Sequence, residues 1–377
     1  MIKIRLGDKE SVRLPPLAYV GYSVTKFFDE LKRFSLFLDK VESSILRMKL
    51  RKININKPVF ITGLARSGTT IMLEMLNKHP DLVSHQYKHL VLPYLPFVTG
   101  KIVKIMNIYT KPFERIHMDG IYVTQESPEA VEEIFWQKFF RHLHDEKENN
   151  ILNQKTHNKK FESFYRLQIK KLLLEQKTKR YLAKNNYNCT RLKYILKLFP
   201  DARILIMIRN PVNQIASLMK QTNLFINLES QVPIFMDWIN LMGHHEFGQA
   251  MSLINVGNNA LIREIRDFWK KNPNDVKAWA YYWNAIYQYL ANILEEDESL
   301  RKAVKIIRYG DLCENSGIVI DEILSHLDLS KENFKIQKKY YCKYLHKPSY
   351  YEPKFSNDEI KEINNITYTT ARRFGFR

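Results

Sequence analysis

From Pro58 the chain reads Pro58-Val59-Phe60-Ile61-Thr62-Gly63-Leu64-Ala65-Arg66-Ser67-Gly68-Thr69-Thr70. A short apolar run ending in glycine suits a buried strand. The spacing then predicts a tight loop from Gly63 to Gly68 and a helix from about Thr69 to Lys78, closed by His79-Pro80. Such a loop turns backbone N–H groups inward around an anion, and the helix N-terminus adds its partial positive charge. Gly68 lets the backbone come close to a phosphate, while Thr69 and Thr70 add hydroxyl donors. This one segment ties the chain to an α/β architecture with an anion at the carboxyl end of a strand.

The spacing is that of G-x-x-x-x-G-K-[ST], with Gly63, Gly68 and Thr70 in register. Thr69 stands where the lysine belongs, and that lysine normally reaches the β- and γ-phosphates of a nucleoside triphosphate. Without it the loop suits a smaller anionic group, such as a single 5′-phosphate. The cation is instead Arg66, earlier in the loop, which can fork onto phosphate oxygens and a leaving group beside them. A small-molecule kinase or other P-loop nucleotide-binding protein is the rival reading, and the missing lysine argues against it.

Ile204-Leu205-Ile206-Met207-Ile208-Arg209-Asn210-Pro211 repeats the theme of strand, turn and helix start. Arg209 falls at the carboxyl end of its strand, where open α/β sheets bind ligands. Ser217 follows two turns into the next helix. Taken with the first loop, the pair implies a ligand with two separate phosphate groups. Further strands are expected at 181–184 and 304–307, with helices at 129–143, 190–199 and 317–327. Strands alternating with helices imply a mostly parallel sheet covered on both faces.

One domain over residues 1–377 is expected. It comprises an N-terminal helix at about 19–50, a core at about 58–221 and 304–328, a helical insertion at about 222–298 that reads as a cap over the cleft, and a C-terminal helix at about 356–372. In the first helix Phe27, Phe28, Leu31, Phe34, Val41 and Ile45 recur at helical spacing, which reads as a core-facing stripe. Ser356-Asn357-Asp358-Glu359 has the pattern of a capping box.

The net charge of +19 admits nucleic acid, an anionic membrane surface or small anionic substrates as partners. Basic residues are spread along the chain with no zinc-finger spacing or basic-region heptad, so specific nucleic-acid binding is not expected. Cys189, Cys313 and Cys342 have no metal or redox spacing, which favours a reducing compartment. No signal peptide is evident, and no unbroken apolar stretch approaches the roughly 20 residues of a membrane span. The stretch 90–108 comes nearest, interrupted by Pro93, Pro96, Lys101 and Lys104. A cytoplasmic protein is expected, with peripheral membrane association left open.

Arg66-Ser67-Gly68-Thr69-Thr70 after its strand resembles the 5′-phosphosulfate-binding loop of sulfotransferases that use PAPS (3′-phosphoadenosine-5′-phosphosulfate). Arg209-Asn210-Pro211 followed by Ser217 resembles their 3′-phosphate-binding motif. Leu196–Arg203, Arg308-Tyr309-Gly310-Asp311-Leu312 and His79-Pro80-Asp81 fit the same family. The likeness covers about 58–80, 180–221 and 304–328, and is greatest to the bacterial-type and carbohydrate/protein group. It departs at Ala65, at Gly310, and at Ile71-Met72, where cytosolic enzymes carry a tryptophan, so the adenine-stacking residue is unassigned.

The resemblance implies a P-loop-like three-layer α/β sandwich with extra helical insertions. It further implies a sulfonyl transfer from PAPS to an acceptor hydroxyl or amine, without a metal. Arg66, Ser67, Gly68, Thr69, Thr70, Arg209 and Ser217 then hold the donor. Arg66 and Lys184 serve the leaving group; Ala183-Lys184-Asn185 resembles a family element in which proline usually stands where Asn186 does. The base is expected at His85 or Glu126. His85 closely follows the first strand–loop–helix unit, and Glu126 belongs to the acidic cluster with Glu129, Glu132 and Glu133.

Overall fold

The computed structural model describes residues 2–6, 10–14, 23, 26, 32–106, 111–346 and 353–376. Strands β1 (Ile2–Leu6) and β2 (Glu10–Leu14) pair antiparallel as a separate ribbon. The central sheet is built from β3 (Val59–Thr62), β4 (Leu82–Val83), β7 (Arg180–Lys184), β8 (Arg203–Ile208) and β9 (Val304–Arg308). Between β4 and β7 lies a two-stranded hairpin, β5 (Phe113–Glu114) and β6 (Tyr122–Val123).

The sheet order is β4-β7-β3-β8-β9, and every pairing in it is parallel. Strands β3 and β8 lie inside it and are buried along almost their whole length. Continuous apolar runs are what a sheet covered on both faces requires. Alternate residues of β8 feed two separate cores. Ile204, Ile206 and Ile208 join one with Phe60, while Leu205 and Met207 join the other with Val59 and Ile61. The expected α/β fold with a mostly parallel, helix-covered sheet is therefore what forms.

Three expectations change. Helix at 129–143 is confined to Glu133–Phe139, followed by a 3₁₀ turn at Arg141–His144. Pro128 instead forms an isolated bridge to Gln86, and the Glu129 N–H donates to the His85 carbonyl at 2.8 Å. An extended pairing thus takes the residues that would have opened the helix.

Secondly, the stretch 222–298 does not stand apart as one cap. The Pro211–Gln231 helix runs through its start, and the Val276–Glu296 helix is a core element with Trp279, Trp283, Ile286 and Tyr287 buried. The Tyr287 hydroxyl donates to the Met207 carbonyl of β8 at 3.1 Å. The loop after Gly243 reaches the cleft through Glu246, which accepts from Asn186 at 3.0 Å.

Thirdly, the N-terminal helix is described from Lys32 to Ile45, with a short continuation at Arg47–Arg51; Phe27, Phe28 and Leu31 lie outside the described residues. Its stripe is not core-facing. Phe34, Val41 and Ile45 are exposed, while Ser35, Asp39 and Glu42 are buried. The reason lies far along the chain. Lys171, fully buried, takes Asp39 at 2.6 Å and Glu42 at 2.8 Å, and this ion cluster turns the polar face inward. At the other end of the chain, the capping box of the Asn357–Arg373 helix forms as expected, Ser356 and Glu359 exchanging bonds.

A second buried ion cluster braces the sheet's carboxyl edge. Glu133 accepts two bonds from Arg191, at 2.7 and 2.8 Å, and one from Asn185 at 2.7 Å. Burial alone would raise its pKa, but Arg191 and His144 hold it far below the usual carboxylate range. Glu133→Gln leaves the Arg191 guanidinium buried without its counter-charge, at a cost of about 3–5 kcal/mol. A urea titration should show the midpoint fall with an unchanged slope. Because the folded-state pKa is depressed, the wild type keeps this contribution above the ordinary glutamate pKa and loses it as pH falls below. The gap between wild type and variant should therefore narrow in acid; a gap independent of pH would contradict the pairing.

Candidate functional site

The two phosphate motifs follow the carboxyl ends of β3 and β8, with Lys184 at the end of β7 and Tyr309 just after β9. The loop after β3 is tightly specified. A Cβ on Gly63 would lie 2.2 Å from the Met207 carbonyl oxygen, and one on Gly68 2.4 Å from the Tyr309 ring. Gly68 caps the Thr69–Leu76 helix with φ +98°. Between the glycines Arg66 has φ +67°, a left-handed conformation that an arginine adopts only where its surroundings enforce it. The Leu64 and Ala65 carbonyls accept bonds from the Gln214 side-chain amide at 3.1 and 3.0 Å. Gln214 is itself fixed by the Trp283 indole N–H at 3.0 Å. These contacts turn the two carbonyls that would repel an anion toward the Pro211–Gln231 helix.

Arg66 joins the two motifs physically. Its Nε donates to the Ser217 Oγ at 3.0 Å, so the loop after β3 and the helix after β8 meet at one guanidinium. Arg209 stacks over Tyr309, with its guanidinium carbon 5.6 Å from the ring centre. The same ring packs on Gly68, which places Arg209 beside the loop. Thus Arg66, Gly68, Thr69, Thr70, Arg209 and Ser217 form one neighbourhood. Ser67 lies within the loop, with its Oγ 3.0 Å from where a Gly63 Cβ would be.

Two residues in this neighbourhood carry no sequence signal. The Arg66 Nη1 also pairs with Asp119 at 3.0 Å, and Arg115 clamps both Asp119 oxygens while its Nη1 reaches Thr70 Oγ1 at 3.3 Å. Both come from the β5–β6 hairpin, which closes over the loop. His117, in the same hairpin, is locked to Gln221, one turn beyond Ser217, at 2.8 Å. Burial lowers its pKa to about 3 and keeps it neutral. Burial would raise the Asp119 carboxyl, but Arg115 and Arg66 outweigh it and hold the group ionised far below its usual range. Met118 and Gly120, both at positive φ, form the turn that presents Asp119. In hindsight Met118-Asp119-Gly120 reads as a turn, but nothing in it announces a partner for Arg66.

The other side of the cleft is also anchored to the loop. Thr69 Oγ1 donates to Asn186 at 3.2 Å, and the Asn186 amide donates to Glu246 at 3.0 Å. Glu246 lies 3.6 Å from His244 Nδ1. Lys184, at the end of β7, lies in the field of Glu246 and Glu129, and burial lowers its pKa against their attraction. Glu129 is hydrogen-bonded by Tyr87; burial would raise its pKa, but the nearby His244 and Lys184 charges, with that bond, lower it. For His244, burial acts downward, yet Glu246 and Glu129 prevail and raise its pKa.

The two expected bases are not part of this arrangement. His85 is buried among Phe135, Tyr181 and His89, and neither of its ring nitrogens has a hydrogen-bond partner. Burial lowers its pKa to about 3, so it stays neutral, packed against aromatic rings. What His85 supplies is its carbonyl, which fixes the backbone of Glu129. Glu126 is exposed and paired with Lys88 at 2.8 Å. Glu132 is buried under the Tyr165 and Tyr181 hydroxyls. Among the four glutamates of the acidic cluster, Glu129 is the one whose partners are Lys184 and His244.

Residues 58–232 match the sequence model of the Sulfotransferase family. Sulfotransferase STF9 from Mycobacterium avium resembles this chain at 13% identity over 89% of it and 82% of that protein, with a TM-score of 0.52. Sulfotransferase STF1 from Mycobacterium tuberculosis H37Rv aligns at 14% identity over 89% and 81%, with a TM-score of 0.43. A sulfotransferase from Alicyclobacillus acidocaldarius aligns at 14% over 85% and 95%, with a TM-score of 0.39. No curated protein matches by sequence. The 58–232 core thus carries the sequence pattern of the Sulfotransferase family, and STF9 shows the same fold over most of this chain's length. Among the described residues no group of side chains has the makings of a metal site, and no helix is long and apolar enough to cross a membrane.

Asp119 is a resident anion on the loop arginine, and any incoming phosphate meets its charge. Asp119→Asn should lower the melting temperature, because Arg115 loses its counter-charge. It should also enlarge the rise in melting temperature that 3′,5′-adenosine bisphosphate produces. Differential scanning fluorimetry reads both. A ligand-induced rise no larger than that of wild type would show that Asp119 does not compete for the anion site.

Proposed function

We propose that this protein transfers a sulfonyl group from PAPS to a hydroxyl, or amine, of a carbohydrate, lipid or small metabolite, releasing 3′,5′-adenosine bisphosphate. The observation that carries the reading is the Arg66–Ser217 bond, which sets a 5′-phosphate loop and a 3′-phosphate motif against each other, as a doubly phosphorylated nucleotide demands. The residues fit that group. A glycine-cradled loop opens a helix N-terminus, Arg66 and Thr70 flank it, and Arg209 supplies a second cation.

When bound, PAPS supplies an activated sulfonyl on a phosphate leaving group. The chain's work is charge management and orientation. Arg66 and Lys184 face the negative charge that grows on the departing phosphate oxygen. The Thr70 hydroxyl, which only accepts from Arg115, and the backbone N–H groups that open the Thr69–Leu76 helix would orient its oxygens. The acceptor must give up a proton as it attacks, and we assign that proton to His244, which the Glu246–Asn186–Thr69 contacts tie to the loop. It is held by Glu246, whose carboxylate raises its pKa above the ordinary histidine value, and histidine is the usual proton acceptor in such steps. Glu129, with its pKa depressed and its carboxylate bonded by Tyr87, is the weaker base and serves to set the charge of Lys184 and His244.

An acceptor screen with labelled PAPS, run in EDTA, tests the reading. Transfer to at least one hydroxyl acceptor supports it, whereas phosphoryl transfer from Mg-ATP would replace it with the kinase reading. Arg66→Ala should reduce turnover at least a hundredfold while the fold persists, in line with about 2.7–4 kcal/mol for an oriented donor at the reacting centre.

The pH profile checks the base. His244 must be neutral to accept a proton, so kcat should rise with pH through an apparent pKa above 6.5, the ordinary histidine value. Glu246→Gln removes the charge that favours protonated His244 and should move that limb to lower pH. His244→Asn should lose both the limb and most of the rate. A limb that persists in His244→Asn assigns the base elsewhere.

A further inference from the structure

An amphipathic helix on a protein surface normally buries its apolar stripe, and the Lys32–Ile45 helix does the reverse. Phe34, Phe37, Val41 and Ile45 face outward at 45%, 58%, 38% and 78% exposure, and Met48 extends the line at 66%. Their spacing of three, four, four and three residues makes a single stripe. Leu46, between this helix and its continuation, keeps a helical backbone. Phe34 and Phe37 stack on each other at 6.4 Å, leaving both rings in contact with solvent.

The orientation is enforced from inside. Lys171 holds Asp39 and Glu42, the Gln168 amide adds a bond to Asp39 at 2.6 Å, and Glu42 accepts the Val98 N–H at 2.9 Å. Both these carboxylates therefore point into the protein. On the outer surface from Phe34 to Lys52 the exposed charges are Lys40, Arg47, Lys49, Arg51 and Lys52, and no exposed acid stands among them. The Pro96–Ile105 helix, tied to Glu42 through Val98, repeats the composition with exposed Ile102, Ile105 and Met106 beside Lys101 and Lys104.

We propose that this face is a membrane-docking surface for an anionic lipid bilayer. Apolar side chains enter the acyl boundary while lysines and arginines meet the headgroups, the composition by which an interfacial helix lies on a bilayer without spanning it. Charge complementarity selects the occupant: five cations and no exposed acid fit an anionic surface. A second copy of the same face would set those cations against each other. The surface lies outside the cation-lined cleft, so docking and donor binding are separable.

Vesicle co-sedimentation of the full chain tests this. The protein should pellet with vesicles of phosphatidylcholine and phosphatidylglycerol in equal parts, much less with phosphatidylcholine alone, and less as salt rises. Phe37→Ser/Ile45→Ser/Met48→Ser keeps every charge and should lower partitioning by about tenfold or more. Lys40→Ser/Lys49→Ser/Arg51→Ser should lower it roughly fivefold per charge removed. Both variants should retain the wild-type melting temperature and 3′,5′-adenosine bisphosphate binding, which guards against misfolding. Wild type that stays in the supernatant overturns the proposal. So does an apolar variant that pellets like wild type, because the +19 net charge alone would then explain adsorption. Light scattering showing a dimer that the apolar variant dissolves, with no vesicle binding by wild type, would assign the face to a second copy.

Discussion

The geometry of the site depends on how closely the loop after β3 is pressed against its neighbours. Gly63 abuts the Met207 carbonyl and Gly68 abuts the Tyr309 ring at separations that no side chain tolerates. With both ends pinned, Arg66 is held in a left-handed conformation, and its guanidinium is delivered to Ser217 on a different helix. The sheet supplies the clamp. Strand β8 lies beside β3 in parallel register, with Thr62 opposite Ile206, so Met207 is brought against the loop by the hydrogen-bond ladder itself. Gln214, Trp283 and Tyr287 then hold the loop's carbonyls away from its mouth. The Val276–Glu296 helix, remote in sequence, thereby takes part in shaping an anion site it does not line.

Electrostatics divides the cleft. On one side Arg66 and Arg115 are neutralised in part by Asp119, so the cations are oriented before any ligand arrives and the surrounding fold does not have to absorb two bare charges. On the other, Lys184, Glu129, His244 and Glu246 form a network of alternating charge anchored to the loop through Asn186 and Thr69. Their pKa shifts run in different directions because each group sees a different neighbour: the glutamates are held ionised, while Glu246 and Glu129 raise the histidine and favour its protonated form. That separation of acid and base character among adjacent groups is what proton transfer at a reacting centre requires.

What the sequence disclosed was chemistry that is local along the chain. Strand, glycine loop and helix start at 58–70, and again at 203–217, are specified by consecutive residues, and the structure builds both as read. The sequence linked the two motifs only through a ligand with two phosphates; their direct contact, Arg66 to Ser217, comes from β3 and β8 lying side by side. Asp119, Arg115, His244 and Glu246 escaped notice because loops carry them, and only tertiary packing brings those loops to the cleft. His85 and Glu126 lie away from Lys184 and His244 for the same reason: next to the Gln86–Pro128 bridge, Glu126 stays in solvent and His85 is buried among aromatic rings. The first helix failed most instructively. Its periodicity was correct, yet the choice of buried face was made by Lys171, over a hundred positions away, and periodicity alone carries no information about such a partner.

On the proposed function, two cation sites at the carboxyl ends of β3 and β8 recognise a nucleotide phosphorylated at both the 5′ and 3′ positions. Isothermal titration calorimetry of the wild type in EDTA, comparing 3′,5′-adenosine bisphosphate with AMP, tests it most directly. A charge-assisted bond to the second phosphate contributes about 1.5–3 kcal/mol, so the bisphosphate should bind roughly ten- to a hundredfold more tightly. Arg209→Ala should remove most of that difference while leaving AMP affinity nearly unchanged. Equal affinity of the wild type for the two ligands would contradict the account, because Arg209 would then hold no phosphate.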